Sequence, residues 1–435
     1  MPVSTNDSTS RRAVIVGGNR TPFVKAFSEY LNLDTIALGV EAVRGLIDRS
    51  ELDTSELDGV IWGGVLLPSL APNVAREIVL DLDLPCGVEA NTVTRACASG
   101  LQAITDAVAK IERGEADVII AGGSDSTSNA TLAMPAEFVR SVAPFAMGKT
   151  GGVGGFFGML GGLFPPSRAF PKMPKVAERT TGEVMGESAE KMATIHSIGR
   201  EAQDELAARS HHRAASAWDA GLFDAEVTPV TVDGKTVSRD TIIRGDTTVE
   251  KMARLRPAFA KEGTLTAANS STLTDGASAT LIMSEEKARE LGFIPLAAFK
   301  SWAYSGVDPR EQLLKGPALS MPKALDRAGI SLDQVDLIDM HEAFAAQVLS
   351  IVSMLEDPQF GRGELGRDGA VGQVDADKLN VHGGSVALGH PFGATGSRMV
   401  NTMAHELHRS GKRTALLGIC AAGGLGAAAV LERVD

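Results

Sequence analysis

Cysteine, aromatic residues and basic tracts are scarce in this sequence, and the first and last of these scarcities each exclude a class of protein. The 435 residues include three cysteines, Cys86, Cys97 and Cys420. An odd number of widely spaced cysteines without a C-x-x-C pair fits neither a disulfide framework nor a zinc site. Aromatic residues make up 5% of the chain, the net charge is −12, and no basic cluster stands out. We therefore expect free thiols in a reducing compartment and no nucleic-acid partner.

Targeting signals are also missing from the sequence. Residues 1–12 are polar and lack the apolar core of a signal peptide, and the final ERVD does not match a peroxisomal address. The uncharged stretch 150–167 contains seven glycines and two adjacent prolines, which disfavour a transmembrane helix. We expect a cytoplasmic protein in which this stretch forms an excursion or lid.

What the sequence does contain is an alternation of short apolar runs and amphipathic segments. The composition, 44% hydrophobic and 22% charged, is that of a globular protein with several domain-sized units. Strands are predicted at 13–17, 59–63 and 116–123, and helices at 33–47 and 102–113. This alternation favours layered α/β domains.

The two ends of the chain share a pattern. Residues 47–60 and 325–338 have the same helix–turn–strand sequence at a constant offset of 278, and the helix and strand after Gly100 resemble those after Gly396. Two related α/β halves are expected, although such units share a pattern and could match by chance. The stretch between them, 130–263, has a different character and is interpreted as an insertion.

Two segments offer a nucleophile and a base. Cys97 lies in 94–101 (TRACASGL), just before a helical run, where backbone N–H groups and the helix dipole favour a thiolate. It could equally be a small buried side chain at a packed helix start. His390 lies in 383–391 (GGSVALGHP), in which three glycines and a proline fix the backbone around one imidazole. A lone histidine is more often structural, but this frame favours a general base for a thiol.

Two further segments lie at predicted strand ends. Cys420 lies in 418–426 (GICAAGGLG), whose glycine turn has free N–H groups able to bind an oxyanion. Passive packing of this thiol is the alternative. Residues 341–344 (HEAF) follow a predicted strand, at the carboxyl edge where α/β domains bind ligands. An ordinary helix cap would also explain them.

These four segments, in this order, resemble the thiolase family. Cys97 matches the family's nucleophile in its C-A-S-G context, His341 opens an N/H-E-A-F motif, His390 lies in G-H-P, and Cys420 opens C-x-x-G-G. The resemblance covers nearly the whole chain and implies the thiolase fold. That fold is α/β, with two related halves in a layered αβαβα arrangement and an inserted loop domain.

The resemblance also implies domain boundaries. The N-terminal half would comprise residues 1–129 and 264–292. The loop domain would comprise residues 130–263. The C-terminal half would comprise residues 293–435.

The roles that the resemblance implies form one reaction. Cys97 would attack the 3-keto carbon and become acylated, and His390 would take its proton and help to hold an oxyanion. Cys420 would protonate the departing acetyl-CoA enolate and then deprotonate the incoming CoA. His341 would orient a water or directly polarise a thioester oxygen.

Binding roles are implied as well. The backbone N–H groups of Cys97 and of the turn near Ala422 would form a second oxyanion hole. Ser271, in the family's serine-bearing segment 268–277 (ANSSTLTDGA), would lie against the pantetheine arm of CoA. No metal or redox cofactor is expected, because CoA is a substrate.

The subgroup follows from His341, where most thiolases have Asn. Together with 420–424 (CAAGG) and 185–190 (MGESAE), it resembles the β subunits of trifunctional fatty-acid oxidation complexes. We expect a 3-ketoacyl-CoA thiolase that forms acetyl-CoA and a shortened acyl-CoA in β-oxidation. The alternatives are a biosynthetic, acetoacetyl-CoA-forming thiolase and a non-catalytic acyl-CoA-binding scaffold. A ketoacyl synthase uses a Cys-His-His set, which Cys420 argues against. His382, where many thiolases have Asn, is expected to line the pocket.

The partners expected are CoA, 3-ketoacyl-CoA and further copies of the chain in a homodimer or homotetramer. The subgroup adds a hydratase/dehydrogenase α subunit and a peripheral membrane contact. The stretch 150–167 would make that contact, or one with a partner, through its large apolar residues; packing on the protein's own loop domain or oligomer interface is the alternative. These residues are Phe156, Phe157, Met159, Leu160, Leu163 and Phe164.

Overall fold

The computed structural model describes residues 11–132, 134–162, 170 and 177–435. Their strands are β1 (Ala13–Arg20), β2 (Val24–Lys25), β3 (Gly59–Gly63), β4 (Glu89–Val93), β5 (Val118–Asp125), β6 (Val230–Val232), β7 (Lys235–Val237), β8 (Thr274–Ser284), β9 (Ala297–Gly306), β10 (Leu337–Met340), β11 (Thr414–Ala421) and β12 (Leu425–Arg433). Their α-helices are α1 (Thr35–Ser50), α2 (Val74–Asp81), α3 (Ser99–Glu112), α4 (Ala136–Ala146), α5 (Gly152–Gly162), α6 (Met185–Ile195), α7 (Arg200–Asp219), α8 (Val249–Ala253), α9 (Glu285–Glu290), α10 (Pro309–Gln312), α11 (Gly316–Ala328), α12 (Ala345–Glu356), α13 (Pro358–Glu364), α14 (Ser385–Leu388) and α15 (Phe392–Ser410).

The strands form two halves with the same topology. In the first half the order is β1-β8-β5-β3-β4, with β3 parallel to β4 and β5, and β8 antiparallel to β5 and β1. In the second half the order is β9-β12-β11-β10, with the same pattern of directions. An isolated parallel bridge from Ile338 to Leu379 takes the place of β4. A short antiparallel pairing of β1 with β9 joins the halves.

Alternating side chains sort the protein into layers. On β3, Val60 and Trp62 pack with α1 and α2, whereas Ile61 packs with α3 and α15. On β11, Leu417 faces the same central helices, whereas Leu416 packs with α11 and α12. Since successive strand side chains point to opposite faces, both halves of the sheet are covered on both sides. The predicted αβαβα arrangement of two related halves is therefore confirmed.

The repeated sequence has a structural counterpart. The Asp58 carboxylate accepts hydrogen bonds from two backbone N–H groups at the start of β5, at 2.6 and 2.9 Å. The Asp336 carboxylate, 278 residues later, accepts two from the start of β11, at 2.9 and 3.0 Å. Each carboxylate satisfies backbone groups at the edge of a helix–turn–strand unit. The offset in the sequence thus marks equivalent positions.

We expect Asp58→Ala and Asp336→Ala to destabilise the protein by similar amounts, about 1–2 kcal/mol each. Each change removes a carboxylate that accepts two backbone hydrogen bonds, and a single such bond contributes about 1 kcal/mol. Urea unfolding of each variant would measure the change. Asp48→Ala, an exposed carboxylate on α1, is the control. Unchanged stability in either Asp58→Ala or Asp336→Ala would contradict the equivalence.

An insertion separates strands that are neighbours in the first half. Strands β5 and β8 are paired although residues 126–273 lie between them, whereas β11 and β12 are joined by residues 422–424. The chain groups into two compact units, one of which comprises described residues from 130–176. Residues 177–263 belong to the larger unit, with the two halves. The domain boundaries derived from the resemblance stay a prediction.

The glycine-rich stretch, expected to form an excursion or lid, contains a short helix. Helix α5 covers Gly152–Gly162, and Phe156 packs against Phe145 of α4 with ring centroids 6.1 Å apart. Leu163, Phe164 and the prolines of this stretch lie outside the described residues. At 11 residues α5 is far too short for a bilayer, and no described helix has both the length and the apolar character needed to cross one.

Candidate active site

Cys97 lies in the short connection between β4 and α3. Helix α3 begins at Ser99, three residues before its predicted start, and Ala98 is its N-cap. Ala96 has a left-handed backbone conformation (φ 46°), which turns the chain sharply just before the thiol. Gly100 then lets α3 approach α15, because a Cβ atom there would lie 2.5 Å from the carbonyl oxygen of Gly393. This contact brings the start of α15 beside Cys97.

His390 is fixed against Cys97. Its Nε2 atom lies 3.2 Å from the Cys97 Sγ atom. Its backbone N–H donates to the Thr274 hydroxyl at 2.6 Å, and a Cβ atom on Gly389 would lie 2.8 Å from Thr274 Cγ2. Gly389 has φ 106°, in the region that favours glycine. The glycine before His390 in the sequence is thus explained by this tight approach.

The tautomer of His390 follows from its second hydrogen bond. The hydroxyl of Thr395 donates to the carbonyl oxygen of Pro391 at 2.8 Å. Because a hydroxyl has one hydrogen, Thr395 Oγ1 must accept from His390 Nδ1, which lies 2.6 Å away. Nδ1 therefore carries the proton. Nε2 presents its lone pair to the Cys97 thiol, as a general base for that thiol requires.

We expect Thr395→Val to lower kcat by about 10- to 100-fold. General-base catalysis contributes roughly 10²–10⁴ to a rate. Without an acceptor for Nδ1–H, His390 would populate both neutral tautomers, and only one of them can accept the thiol proton. Valine keeps the shape of threonine but cannot accept from Nδ1. Single-turnover acylation of Cys97, the step that the resemblance implies, would measure the effect. Thr402→Val on the same helix, whose buried hydroxyl bonds Glu226, is the matched control. Equal acylation rates in the two variants would contradict the assignment.

Both members of this pair are neutral at rest. Burial raises the pKa of the Cys97 thiol to about 12, although N–H groups of Ala422 and of Cys97 itself act in the opposite direction. Burial, and next the positive charge of Arg398, lower the pKa of His390 to about 3. These shifts in pKa favour a thiol next to a neutral imidazole over a thiolate–imidazolium pair. Proton transfer has to accompany attack by the sulfur.

His341 completes a compact cluster. It follows β10 directly, and its ring centroid lies 4.1 Å from that of His390. Cys97, His341 and His390 each offer one ligand atom, and these three atoms lie within 4.8 Å of one another. His341 Nδ1 lies 3.0 Å from the Ser385 hydroxyl, while Nε2 has no partner among the described residues. Burial, then His390 and Arg398, lower the pKa of His341 well below its usual value.

Cys420 lies near the end of β11, directly before the turn to β12. The thiol is buried, and burial, followed by the proximity of Cys97, raises its pKa well above the ordinary value. A Cys420 thiol that stays protonated is suited to donate a proton. The turn that follows has Gly423 and Gly424 at positive φ, and the N–H of Ala422 acts to lower the pKa of the Cys97 thiol. This turn therefore offers backbone N–H groups near Cys97, and an oxyanion hole there stays a prediction.

Comparison with known proteins agrees with this geometry. A family model described as "Thiolase, N-terminal domain" matches residues 13–286, and one described as "Thiolase, C-terminal domain" matches residues 293–433. The chain belongs to the thiolase family. The family predicted from the motifs is therefore confirmed, and with it the assignment to an acyltransferase family.

Individual thiolases match over almost the full length. The 3-ketoacyl-CoA thiolase of Aliivibrio fischeri (strain MJ11) is 46% identical over 424 residues, which cover 97% of this chain and 95% of the relative. That of Pectobacterium atrosepticum is 44% identical, with 97% and 96% covered. The structure of human mitochondrial 3-ketoacyl-CoA thiolase in complex with CoA has a TM-score of 0.82 at 31% identity, and 98% of each chain is covered. Bacillus anthracis acetyl-CoA acetyltransferase has a TM-score of 0.83 at 32% identity, with 98% and 99% covered. These matches confirm the thiolase fold.

Ser271 and His382 lie in different surroundings within this thiolase. The backbone N–H of Ser271 donates to the carbonyl oxygen of Ala343 at 2.9 Å, so the serine-bearing segment runs beside the HEAF motif. His382 instead pairs with Glu406 at 2.8 Å and lines a cavity of about 240 Å³. None of the four predicted catalytic residues lines that cavity. The His382 ring is therefore held by Glu406 in a cavity separate from the predicted catalytic residues.

Sequence reasoning missed several side chains that hold this thiolase site together. Thr274 and Thr395 fix the two ends of the His390 frame, as described above. Asp125, at the end of β5, accepts backbone hydrogen bonds from Leu66 and Gly393, both at 2.6 Å, and so ties a loop of the first half to the start of α15. In the sequence, the one indication of these supporting contacts was Thr395, five residues after the histidine of the G-H-P motif. The partners of Asp125 lie too far away in sequence to be read from it.

Proposed function

We propose that this chain is a 3-ketoacyl-CoA thiolase, which transfers the acyl group of 3-ketoacyl-CoA to CoA in fatty-acid β-oxidation. The observation that carries the proposal is the distance of 3.2 Å between the Cys97 Sγ atom and His390 Nε2. Around it are a second thiol, Cys420, and a second imidazole, His341. The curated relatives at 43–46% identity bear the name 3-ketoacyl-CoA thiolase and support the substrate class.

The first half of the reaction forms an acyl-enzyme. As the Cys97 sulfur attacks the 3-keto carbon, its proton passes to His390 Nε2 and the keto oxygen becomes an oxyanion. Collapse of this intermediate breaks the C2–C3 bond and leaves an acyl thioester on Cys97. The departing acetyl-CoA enolate takes a proton from the Cys420 thiol. His390 and His341 stabilise negative charge on the enolate oxygen as it develops.

The second half regenerates the enzyme. The Cys420 thiolate accepts the proton of the incoming CoA thiol, and the CoA sulfur attacks the acyl thioester. The tetrahedral oxyanion is stabilised by the backbone N–H groups of Cys97 and Ala422. Collapse releases the shortened acyl-CoA, and Cys97 regains its proton from His390. Every proton given up in the first half is thereby returned.

CoA is the partner that these steps require, and Ser271 is the residue that we assign to its pantetheine arm. The side chain is half-buried, next to the segment that follows His341. No metal or redox cofactor enters the proposed cycle. The protonated Nδ1 and sulfur-facing Nε2 of His390 are both occupied, and the cycle oxidises and reduces nothing.

A thiolysis assay over 3-ketoacyl-CoA chain lengths tests the proposal. We expect CoA-dependent loss of 3-ketoacyl-CoA and stoichiometric acetyl-CoA. Activity with acetoacetyl-CoA alone, and net condensation of two acetyl-CoA molecules, would instead support an acetoacetyl-CoA-forming thiolase. The structural similarity to Bacillus anthracis acetyl-CoA acetyltransferase supports the acetoacetyl-CoA-forming thiolase as the second candidate. Binding of acyl-CoA without turnover at any length would make the chain a scaffold.

We also propose that the exposed aromatic side chains of α5 contact a partner subunit or a lipid surface. Phe156 and Phe157 are 44% and 65% exposed on a helix without a charged residue. Clustered exposed apolar groups are typical of interaction surfaces. A cytoplasmic, homo-oligomeric enzyme with a hydratase/dehydrogenase α subunit would use such a surface to attach, as the subgroup resemblance implies.

We expect the double change Phe156→Ser with Phe157→Ser to leave thiolysis of a short substrate intact. It should lower liposome flotation, or co-purification with an α subunit, by several-fold. Ile294→Ser, an equally exposed apolar residue of the larger unit, is the control. Loss of homo-oligomers in the double variant, with flotation and co-purification unchanged, would place these side chains in the protein's own assembly instead.

A further inference from the structure

A series of buried polar side chains, connected by hydrogen bonds, ends at His341. The Arg398 guanidinium donates to the Asp339 carboxylate at 2.9 Å, and makes a longer contact of 3.4 Å to the Ser385 hydroxyl oxygen. Ser385 Oγ in turn lies 3.0 Å from His341 Nδ1. All four residues are at most 1% exposed. Such a series polarises each hydrogen bond in turn, because the interior screens the Arg398 charge weakly.

The position of Ser385 is fixed from both sides. The preceding N–H, of Gly384, donates to the Ser210 hydroxyl at 2.9 Å. The following N–H, of Val386, donates to the Glu342 carboxylate at 3.2 Å, and Ser210 donates to the same carboxylate at 2.6 Å. Since Glu342 directly follows His341, the two segments are tied together. The Ser385 hydroxyl is therefore held in register with the imidazole.

Counting hydrogens assigns the donor between Ser385 and His341. Arg398 can only donate, so it uses a lone pair of Ser385 Oγ and leaves the hydroxyl hydrogen free. Among the described residues, the acceptor within reach of that hydrogen is His341 Nδ1. If Nδ1 carried the proton instead, the Ser385 hydroxyl hydrogen would be buried without an acceptor, at a cost of about 1–3 kcal/mol. The arrangement with the fewest unpaired groups has Ser385 donating.

We propose that Ser385 is a positioning residue whose hydroxyl holds His341 in the Nε2–H tautomer, so that this N–H can donate to the thioester oxygen on which the enolate charge develops. The assignment rests on the proposed thiolase reaction for its catalytic meaning. Nε2 is buried and has no partner among the described residues, as expected of a donor that waits for an oxyanion. His390 and His341 thus have opposite tautomers, one accepting a proton and the other donating a hydrogen bond.

The neutrality of His341 supports the same arrangement. Burial, His390 and the Arg398 charge all lower its pKa, so the ring carries one hydrogen. A neutral imidazole that accepts at Nδ1 must donate at Nε2. Asp339 holds the positively charged guanidinium of Arg398 in place beside Ser385. The charge polarises the Ser385 hydroxyl and makes it a stronger hydrogen-bond donor. Each donor in the series is then assigned: Arg398 donates to Ser385, and Ser385 donates to His341 Nδ1, which leaves His341 Nε2–H as the donor that faces the substrate.

The tautomer can be measured in the resting protein without substrate. We expect long-range ¹⁵N–¹H correlation spectra of protein labelled at histidine to show His341 as Nε2–H, with the signal assigned by its loss in His341→Asn. In Ser385→Ala the His341 signal should shift towards the Nδ1–H form. Ser385→Thr, which keeps the hydroxyl, should preserve the Nε2–H form. Ser350→Ala, a buried serine on α12 whose hydroxyl has no partner among the described residues, is the matched control.

Kinetics give the second readout. Loss of one oxyanion donor costs roughly 10²–10³ in kcat, so we expect about a 10²-fold lower kcat in Ser385→Ala with little change in KM for CoA. Ser385→Thr should recover most of the rate, and Ser350→Ala should match the wild type. A His341 that is Nδ1–H in the wild type, or a Ser385→Ala variant with unchanged tautomer and kcat, would overturn the assignment. A wild type with the expected tautomer but no thiolysis would refute the proposed function and leave the role of Ser385 supported.

Discussion

Cys97→Ser should abolish turnover, with kcat reduced by more than about 10⁴-fold, as is found when a covalent nucleophile is removed. The Cys97 thiol already has a pKa raised to about 12, and transfer of its proton to a neutral imidazole is demanding. A serine hydroxyl is far less acidic still, so the single His390 imidazole cannot activate it to attack a ketone. Steady-state thiolysis of a 3-ketoacyl-CoA measures the loss.

Mass spectrometry of the acyl-enzyme provides the control. In the wild type, brief exposure to 3-ketoacyl-CoA in the absence of CoA should add one acyl group to a peptide that contains Cys97. Cys86→Ser changes an exposed thiol and should keep both the adduct and the turnover. An adduct on Cys86, or a Cys97→Ser protein that still acylates, would falsify the assignment of the nucleophile.

Cys420→Ala should lower overall thiolysis by about 10²–10⁴-fold, the range over which general acid–base groups contribute. The reason is specific to one part of the cycle. Cys420 protonates the enolate carbon and later deprotonates CoA, whereas attack by Cys97 needs only His390. Some acyl transfer to Cys97 should therefore survive in the variant, seen as a reduced burst. Exchange of the acetyl-CoA methyl hydrogens for deuterium should be lost.

The two measurements separate proton transfer from structural damage. Cys420 is buried in β11, so a general disruption of Cys420→Ala would remove the acylation burst and the exchange together. A thermal unfolding curve close to that of the wild type would confirm intact packing. Methyl exchange at the wild-type rate in Cys420→Ala would show that another group acts as the acid.

The sequence was a good guide wherever local pattern and chemistry coincide. Strand β3 lies at the predicted residues 59–63, because a short apolar run between turns fits a strand covered on both faces. Cys97 was singled out by its position before a helical run, and His390 by its glycine-rich frame. The glycines beside them serve a close approach of α3 to α15 and a tight turn. The constant offset between Asp58 and Asp336 could be recognised in the sequence because equivalent backbone N–H groups need a carboxylate acceptor in both halves.

The residues that were missed act across long sequence distances. Ser385 is an ordinary serine in a glycine motif until Arg398 and His341 are placed around it. His382 was expected to line the pocket, but Glu406 on α15 holds its ring in a separate cavity. Helix α5 was missed because helix propensity is a weak prior, which the glycine count alone overstated. Pair partners and burial are properties of the folded chain, not of a sequence window.

The gap between β5 and β8 has a consequence for how the molecule folds. Strands β11 and β12 can pair as soon as both are made, because three residues connect them, whereas β5 must wait for a partner 148 residues away. Loop-closure entropy makes the second pairing costlier by roughly 3 kcal/mol, from a logarithmic dependence on loop length. We therefore expect the hairpin that holds Cys420 to form early. The sheet beside Cys97 would close late, so the high contact order of the first half would set the folding rate and delay the meeting of the two thiols.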